Sequence, residues 1–289
     1  MKKIPNAILL SDIHLREDNP ICWVGDFQKE QWNTMDFICD LQEKYNIPVL
    51  IAGDIFHTWK ASPWLLSMAM QHFPKQCFCI AGQHDLPQHN MQLINKSGLY
   101  TLAKAKTIKI LNGCHFGQTP VEASLIIKKK SILVWHNFTY VGKEPFPGCN
   151  SPRAHVLLEK YKQFDLILTG DNHQSFTSHG LSGNLLVNPG SLMRQTAAQI
   201  DFQPKVYLWY VEDNIVETVD VPIEQGVITR EHIEKVQERD ERIDAFISSL
   251  KTGWEMSLSF EDNMKMFFET NRVRKDIKDI IYEAMEEEK

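Results

Sequence analysis

The stretch Ala7-Ile8-Leu9-Leu10-Ser11-Asp12-Ile13-His14 joins an apolar run to a polar cluster. Four apolar residues run directly into a serine, an aspartate and a histidine. A short apolar run that ends on turn residues is typical of a buried strand. Polar residues just after such a strand lie at its carboxyl end, where α/β proteins form binding sites. The stretch therefore predicts a buried strand over 7–10, with Asp12 and His14 in a site at its end.

Five further apolar runs end in the same way, and helical patterns separate the early ones. The runs, with the residues that follow them, are 49–52 with Gly53-Asp54, 77–81 with Gly82-Gln83-His84-Asp85, 132–135 with His136-Asn137, 166–169 with Gly170-Asp171-Asn172-His173, and 185–187 with Asn188-Pro189-Gly190-Ser191. Residues 27–45 have helical apolar spacing, and Ser-Pro pairs open helices over 64–72 and 153–163. The alternation of strand and helix predicts a layered α/β fold.

Other strands follow one another with little helix between them. Runs at 108–111, 125–127 and 132–135 are consecutive, and runs at 206–211 and 215–221 join at Asp213-Asn214, a favourable hairpin turn. This order favours a mixed sheet or two packed sheets over one purely parallel sheet.

The chain changes character at Ile223, so we predict a body over 1–222 and a short helical extension over 223–289. Amphipathic helices are expected in the extension over 230–250 and 271–285. The net charge of the chain is −6, and residues 223–289 carry 17 acidic against 11 basic side chains. The body is therefore neutral, and the acidic extension either packs on the body or docks a partner protein.

The composition is that of a folded protein, with 43% apolar and 24% charged residues among 289. It excludes a mainly disordered chain. No apolar run reaches the roughly 18 residues of a membrane span, and the start does not read as a signal peptide. We therefore expect a cytoplasmic protein without a membrane partner. The six cysteines, expected as free thiols in a reducing compartment, are Cys22, Cys39, Cys77, Cys79, Cys114 and Cys149.

Metal-ligand side chains follow five of the predicted strands. They are Asp12, His14, Asp54, Gln83, His84, His136, Asp171 and His173. Each alone is weak evidence, but their ordered occurrence at strand ends predicts one shared site. Carboxylates, imidazoles and one amide suit a pair of divalent ions such as manganese, iron or zinc, and the absence of a thiol disfavours a structural zinc site.

The ordered motifs resemble those of the calcineurin-like metallophosphoesterase superfamily. They are Asp12-Ile13-His14, Gly53-Asp54, Gly82-Gln83-His84-Asp85, the lone His136, and Gly170-Asp171-Asn172-His173. The resemblance implies a two-sheet α/β/β/α sandwich that holds two divalent metal ions, with Mn²⁺ expected first and Mg²⁺, Fe²⁺ and Zn²⁺ as alternatives. The implied ligands are Asp12, His14 and His173 for the first ion, Asp54 between the ions, and Gln83, His136 and Asp171 for the second.

The resemblance also implies catalytic roles for two residues that are not ligands. His84 would face the scissile phosphate, and Asp85 would orient the His84 ring. The chain departs from the family pattern twice, because Gln83 stands in place of asparagine and Asp171 in place of histidine. The two changes either offset one another or leave the second ion weakly held.

Within this superfamily the chain looks most like the SbcD type, the nuclease subunit of DNA double-strand-break repair complexes. The strings that carry this likeness are Gly53-Asp54-Ile55-Phe56-His57, Gly82-Gln83-His84-Asp85-Leu86-Pro87, and Asn188-Pro189-Gly190-Ser191-Leu192-Met193-Arg194. The likeness implies a DNA exonuclease, with endonuclease activity possible, that acts in recombination and repair. It also implies an SbcC-type coiled-coil ABC ATPase as partner and a homodimer. We expect Arg194 and Asn137 to bind substrate.

Two other functions stay open at this point. One is a phosphodiesterase or pyrophosphatase that acts on small nucleotide-type substrates. The other is a degenerate scaffold in which Gln83 and Asp171 have abolished the second metal site and only partner binding survives.

Overall fold

Strand β1 (Ala7–Leu10) pairs with two neighbours inside a six-stranded mixed sheet. The structure is a computed structural model that describes residues 3–111, 125–251 and 260–287. The other strands of this sheet are β2 (Val49–Ile51), β3 (Cys77–Cys79), β4 (Lys109–Ile110), β10 (Lys205–Tyr210) and β11 (Ile215–Asp220). Their order is β11-β10-β1-β2-β3-β4, and β1 to β4 are parallel.

A second sheet contains the remaining strands of the described chain. They are β5 (Leu125–Ile127), β6 (Lys130–Trp135), β7 (Leu166–Thr169), β8 (Phe176–His179) and β9 (Leu185–Asn188), in the order β5-β6-β7-β9-β8. Strands β6, β7 and β9 are parallel, so their carboxyl ends lie at one edge. The predicted mixed, two-sheet architecture is confirmed.

Two apolar clusters hold the layers together, and β1 contributes to both. Side chains alternate across a strand, so Ile8 and Leu10 belong to one cluster and Leu9 to the other. The first cluster includes residues of the helices α1 (Phe27–Tyr45), α2 (Pro63–His72) and α3 (Gly98–Lys104). The second joins the inner faces of both sheets with helix α4 (Ala154–Lys160). The layers are therefore helix, sheet, sheet and helix, as predicted.

The helix starts show where local sequence decides and where it does not. Ser62 caps α2 by accepting a hydrogen bond from the Leu65 N–H, with Pro63 at the first helical position, as predicted. The expected helix over 153–163 instead spans only Ala154–Lys160, and Ser151 does not cap it. The residues before α4 pair with a neighbouring loop, because Thr139 donates to the Pro152 carbonyl and the Ala154 N–H to Tyr140.

Several elements were not predicted. Strand β8 was missed because it is an edge strand whose polar residues leave no apolar run. Helix α3 and three short 3₁₀ helices were also missed, at Pro87–His89, Met91–Lys96 and Ala197–Gln199. The hairpin predicted at Asp213-Asn214 joins β10 and β11. Another hairpin joins β5 and β6, with Lys128 and Lys129 at its tip and φ values of 45° and 70°.

The chain divides into two compact units, Met1–Arg230 and Glu231–Lys289. The first unit extends beyond the boundary predicted at 222, because buried Val227 and Ile228 belong to its core and the Val24 N–H donates to the Val227 carbonyl. The second unit contains α5 (Glu231–Lys251), α6 (Phe260–Thr270) and α7 (Lys275–Glu287). Helix α6 was not predicted, and α7 begins four residues after the predicted start at 271.

The described cysteines fit the expectation of free thiols. Cys22, Cys77, Cys79 and Cys149 are buried and Cys39 is half-buried, all as free thiols, while Cys114 lies outside the described residues. Within the described ranges, no helix combines the length and apolar character that crossing a membrane requires.

Candidate metal centre

The predicted ligands come together at the carboxyl ends of β1, β2, β3, β6 and β7. Among the described residues, three groups have potential ligand atoms within 4.8 Å of one another. The groups are Asp12, His14 and His173; Asp12, Asp54 and His136; and His14, His57 and His84. The ordered motifs of the sequence therefore form one continuous cluster.

The first predicted metal position is formed by two imidazoles and a carboxylate. The Nε2 atoms of His14 and His173 lie 3.3 Å apart, and both are within 3.9 Å of Asp12 Oδ1. Asp12 and His14 are buried, whereas the His173 side chain is 41% exposed. Two ring nitrogens that face each other at this distance either share a proton or both face a cation, so the arrangement suits a metal ion.

Asp54 lies where the implied bridging ligand should lie. Its Oδ2 atom is 3.3 Å from His136 Nε2 and 3.7 Å from His14 Nε2. Its Oδ1 atom accepts a hydrogen bond of 2.9 Å from the His84 backbone N–H. One carboxylate oxygen thus faces imidazoles from both predicted metal positions while the other is fixed by the backbone.

His136 has the orientation of a metal-binding histidine. Its Nδ1 atom lies 2.6 Å from the Ala52 carbonyl oxygen, to which it donates, and this bond turns Nε2 toward Asp54. A backbone carbonyl on the far nitrogen is a usual outer-shell partner for a metal-binding imidazole, because it fixes the ring and the tautomer.

The two residues that depart from the family pattern contact each other. Gln83 Nε2 donates to Asp171 Oδ1 at 2.6 Å, and the Asp171 backbone N–H donates to the Asp12 carboxylate at 3.1 and 3.2 Å. The Gln83 Oε1 atom is buried and finds no hydrogen-bond partner within the described ranges. A buried amide oxygen without a donor is suited to a cation.

His84 reaches the site as expected, but Asp85 does not orient it. The Asp85 carboxylate is fully buried and accepts hydrogen bonds from the backbone N–H groups of Ile55, Phe56 and Gly82. Its oxygens are used to join the second and third motif loops. The His84 ring is positioned instead by the His57 carbonyl, 2.8 Å from Nδ1. The role predicted for Asp85 is therefore corrected to a structural one.

His57 is a site residue that the sequence reasoning did not single out. Its ring stacks on His84 at a centroid distance of 5.7 Å and meets His14 edge-on at 5.9 Å. The signal was present, since His57 ends the string Gly53-Asp54-Ile55-Phe56-His57, but it lies three residues beyond Asp54 and follows no strand directly.

Arg194 and Asn137 were both predicted to bind substrate, and the structure shows what surrounds each of them. Arg194 is buried, packs over the Trp23 ring at 5.8 Å and donates to the carbonyls of Ile200 and Glu224. The Arg194 guanidinium thus bonds to groups within the protein, and its predicted role in binding substrate is corrected. Asn137 is half-buried next to the site and donates to the Phe138 carbonyl, so its predicted role in binding substrate stays a prediction.

The backbone of the site is unusual. Asp12, His14, Asp54 and Asp171 all have left-handed backbone conformations, with φ between 50° and 74°. Such conformations cost free energy in residues other than glycine and concentrate at functional sites. The loops also approach closely, because a Cβ atom on Gly82 would lie 2.0 Å from Asp54 Oδ1. The fold therefore accepts local strain to bring these side chains together.

The electrostatics of the cluster favour added positive charge. Burial raises the pKa of Asp12 to about 7. Burial alone would lower the pKa of His136, but the adjacent Asp54 carboxylate outweighs it and raises the pKa to about 10. Burial lowers the pKa of His14 to about 3, so this imidazole stays neutral and able to act as a ligand. The neutral imidazole of His14 and the buried carboxylates together fit divalent cations.

Comparisons with solved structures find proteins of low identity that cover about three quarters of this chain or more. The Thermus thermophilus protein TT1561 has 9% identity and a TM-score of 0.45, with coverage of 76% of this chain and 100% of its own. A hypothetical protein of Pyrococcus horikoshii has 14% identity and a TM-score of 0.40, covering 81% and 93%. Vacuolar Protein Sorting 29 of Cryptosporidium parvum has 15% identity and a TM-score of 0.39, covering 77% and 100%.

Family membership follows from the sequence profile. A search of curated proteins finds no match to the chain. The profile of the calcineurin-like phosphoesterases matches residues 6–175, which include every residue predicted to bind metal. The two-sheet fold and the convergent motifs agree with this match. The chain belongs to the calcineurin-like phosphoesterase family.

Proposed function

We propose that the protein is a two-metal phosphodiester hydrolase that degrades DNA as an exonuclease. The observation that carries this proposal is the position of His57. It ends the string by which the chain resembles SbcD-type nucleases, and its ring and carbonyl both contact His84 at the metal centre. The segment that resembles these nucleases is thus part of the site.

The chain offers two sets of side chains that would hold the ions. His14, His173 and Asp12 would hold the first, and Gln83, His136 and Asp171 the second, with Asp54 shared. When bound, the ions supply a nucleophilic water of lowered pKa and positive charge opposite the phosphate oxygens. Mn²⁺ is the proposed metal, because the set includes three carboxylates and an amide oxygen.

His84 is the residue of this chain that would move a proton. Its Nδ1–H donates to the His57 carbonyl, which fixes the ring and leaves Nε2 as the atom that can face substrate. A protonated Nε2 would stabilise charge on the phosphate and protonate the leaving oxygen. The half-buried ring lies edge-on to His14, with centroids 4.9 Å apart, so it is next to the first metal position.

The test compares two substrates under the same conditions. The purified chain with Mn²⁺ is assayed on end-labelled linear duplex DNA and on bis-p-nitrophenyl phosphate. We expect both to be cleaved, and Asp54→Ala to abolish both activities. His179→Ala, which changes an exposed histidine on the edge strand β8, is the matched control and should act like the wild type.

The other functions have their own outcomes in this test. Cleavage of the small diester without loss of DNA, even when a coiled-coil ATPase partner is added, would refute the nuclease and favour a phosphodiesterase of small substrates. Inactivity on both, with one ion or none per chain, would favour a scaffold. The ATPase partner, the homodimer and the cytoplasmic location stay predictions.

A further inference from the structure

The two departures from the family pattern are opposite in size. Gln83 has one methylene more than the asparagine it replaces, and Asp171 is shorter than the histidine it replaces. The two side chains meet in a hydrogen bond of 2.6 Å between Gln83 Nε2 and Asp171 Oδ1. The longer Gln83 side chain, which follows β3, therefore compensates for the shorter Asp171 side chain, which follows β7.

The contact fixes which atom of each side chain remains for a ligand. An amide oxygen would repel the carboxylate, so the Gln83 amide nitrogen must face Asp171. The Gln83 Oε1 atom is then turned away, buried and without a hydrogen-bond donor within the described part of the chain. The pair thus presents one free amide oxygen, and a carboxylate whose Oδ2 atom is not used in the bond.

The backbone of both residues is held independently of these side chains. The Asp171 N–H donates to both oxygens of Asp12, and the Gln83 carbonyl accepts from His89 Nδ1 at 3.0 Å. Substitutions at 83 and 171 can therefore change the reach and charge of the side chains while these backbone contacts remain.

We propose that Gln83 and Asp171 are a matched pair that retains the second metal site and makes it selective for oxygen-preferring ions, Mn²⁺ or Mg²⁺, over Zn²⁺. The proposal deepens the proposed function and rests on its two-metal centre. A carboxylate in place of an imidazole is a harder ligand and adds one negative charge next to the ion. The matched lengths explain how both changes coexist.

The test is a double-mutant cycle read out by metal binding. Mn²⁺ and Zn²⁺ are titrated separately into the metal-free full-length chain, with bound ions counted by equilibrium dialysis and free Mn²⁺ by electron paramagnetic resonance. The proteins are wild type, Gln83→Asn, Asp171→His and the double variant. Gln92→Asn shortens an exposed glutamine by the same methylene and is the matched control.

We expect two Mn²⁺ per chain in the wild type and in Gln92→Asn. In each single variant the dissociation constant of the second ion should rise by at least about tenfold, because the unchanged partner then has the wrong length for the new side chain. The double variant should bind a second ion again, with its preference moved toward Zn²⁺. If the losses of the two single variants simply add in the double variant, the pair is not matched and the proposal is wrong.

Two further measurements keep the result interpretable. Thermal unfolding of the metal-free variants reports whether each folds. Should Asp171→His not fold, the isosteric Asp171→Asn tests the charge instead: loss of Mn²⁺ preference supports the proposal, and an unchanged Mn²⁺/Zn²⁺ ratio overturns it. A wild type that binds two Mn²⁺ but cuts no DNA would refute the nuclease and leave this inference intact.

Discussion

The two halves of the metal centre are built differently. In the first half, the Nε2 atoms of His14 and His173 face each other at 3.3 Å beside the buried Asp12. In the second half, Gln83 and Asp171 are already joined by a hydrogen bond. The first half therefore depends on a cation to satisfy its side chains, whereas the second half is partly satisfied by itself. The presence of Gln83 in place of asparagine and of Asp171 in place of histidine is therefore compatible with an ordered second half of the metal centre.

The largest effect is expected where the two halves meet. Asp54→Ala removes the carboxylate that faces His14 and His136, so both ions should be lost and hydrolysis of bis-p-nitrophenyl phosphate should fall to the background rate. Elemental analysis of the purified variant measures the ions. A variant that keeps two ions and most of its activity would show that the halves do not share Asp54.

A change beside the metal centre that removes none of the implied ligands should separate chemistry from metal binding. His84→Ala is expected to lower the rate by about 100- to 10,000-fold, the usual contribution of a positioned acid or base. The metal content should stay that of the wild type, because His84 touches Asp54 only through its backbone N–H. Loss of the ions from this variant would mean that His84 is a ligand.

Mn²⁺ should stabilise the folded protein more through the first half of the metal centre than through the second. At 100 times the dissociation constant, one bound ion stabilises the folded state by about 2.7 kcal/mol. We expect His173→Ala to lose more of the Mn²⁺-induced increase in melting temperature than Gln83→Ala does. Equal losses in the two variants, measured by calorimetry with and without Mn²⁺, would contradict the comparison.

The corrected role of Asp85 predicts a smaller effect on folding. Asp85→Asn places an amide where the carboxylate accepts three backbone N–H groups, so unfolding free energy should fall by about 1–3 kcal/mol. The pH dependence of the remaining activity should not move, since the His84 ring is held by the His57 carbonyl. A shifted pH profile would restore the orienting role of Asp85.

The smallest effect concerns Arg194, which lies outside both halves. Arg194→Lys should cost about 1 kcal/mol in urea unfolding, because lysine cannot donate to both the Ile200 and Glu224 carbonyls. DNA affinity and its salt dependence should not change. The uncharged variant Arg194→Gln tests the other role: a slope of log DNA affinity against log salt concentration that becomes shallower by about one would show that Arg194 binds a phosphate.

The sequence predicted the parts that depend on local pattern. The strands before Asp12, Asp54, His136 and Asp171 are mostly buried apolar runs. The parallel pairing of β1 with β2 and of β6 with β7 brings the residues that follow them to the carboxyl edges of the two sheets. The family resemblance added roles to these positions. Both the layered fold and the convergence of the ligands were therefore predictable before any coordinates.

The parts that were missed depend on contacts between distant segments. Arg194 was expected to bind phosphate, but Trp23 and two carbonyls, one six and the other 30 residues away, enclose it. Asp85 was expected to orient His84 because carboxylates commonly fix imidazole rings, whereas its oxygens reach the loop after β2. Neither the burial of a charged side chain nor its hydrogen-bond partners can be read from spacing alone.

The most direct test of the two-metal centre is anomalous diffraction from crystals of the full chain grown with Mn²⁺. We predict two anomalous peaks per chain, one between the imidazoles of His14 and His173 and one beside Gln83, His136 and Asp171, with Asp54 adjacent to both. A single peak at the first position, or peaks away from these side chains, would contradict the account.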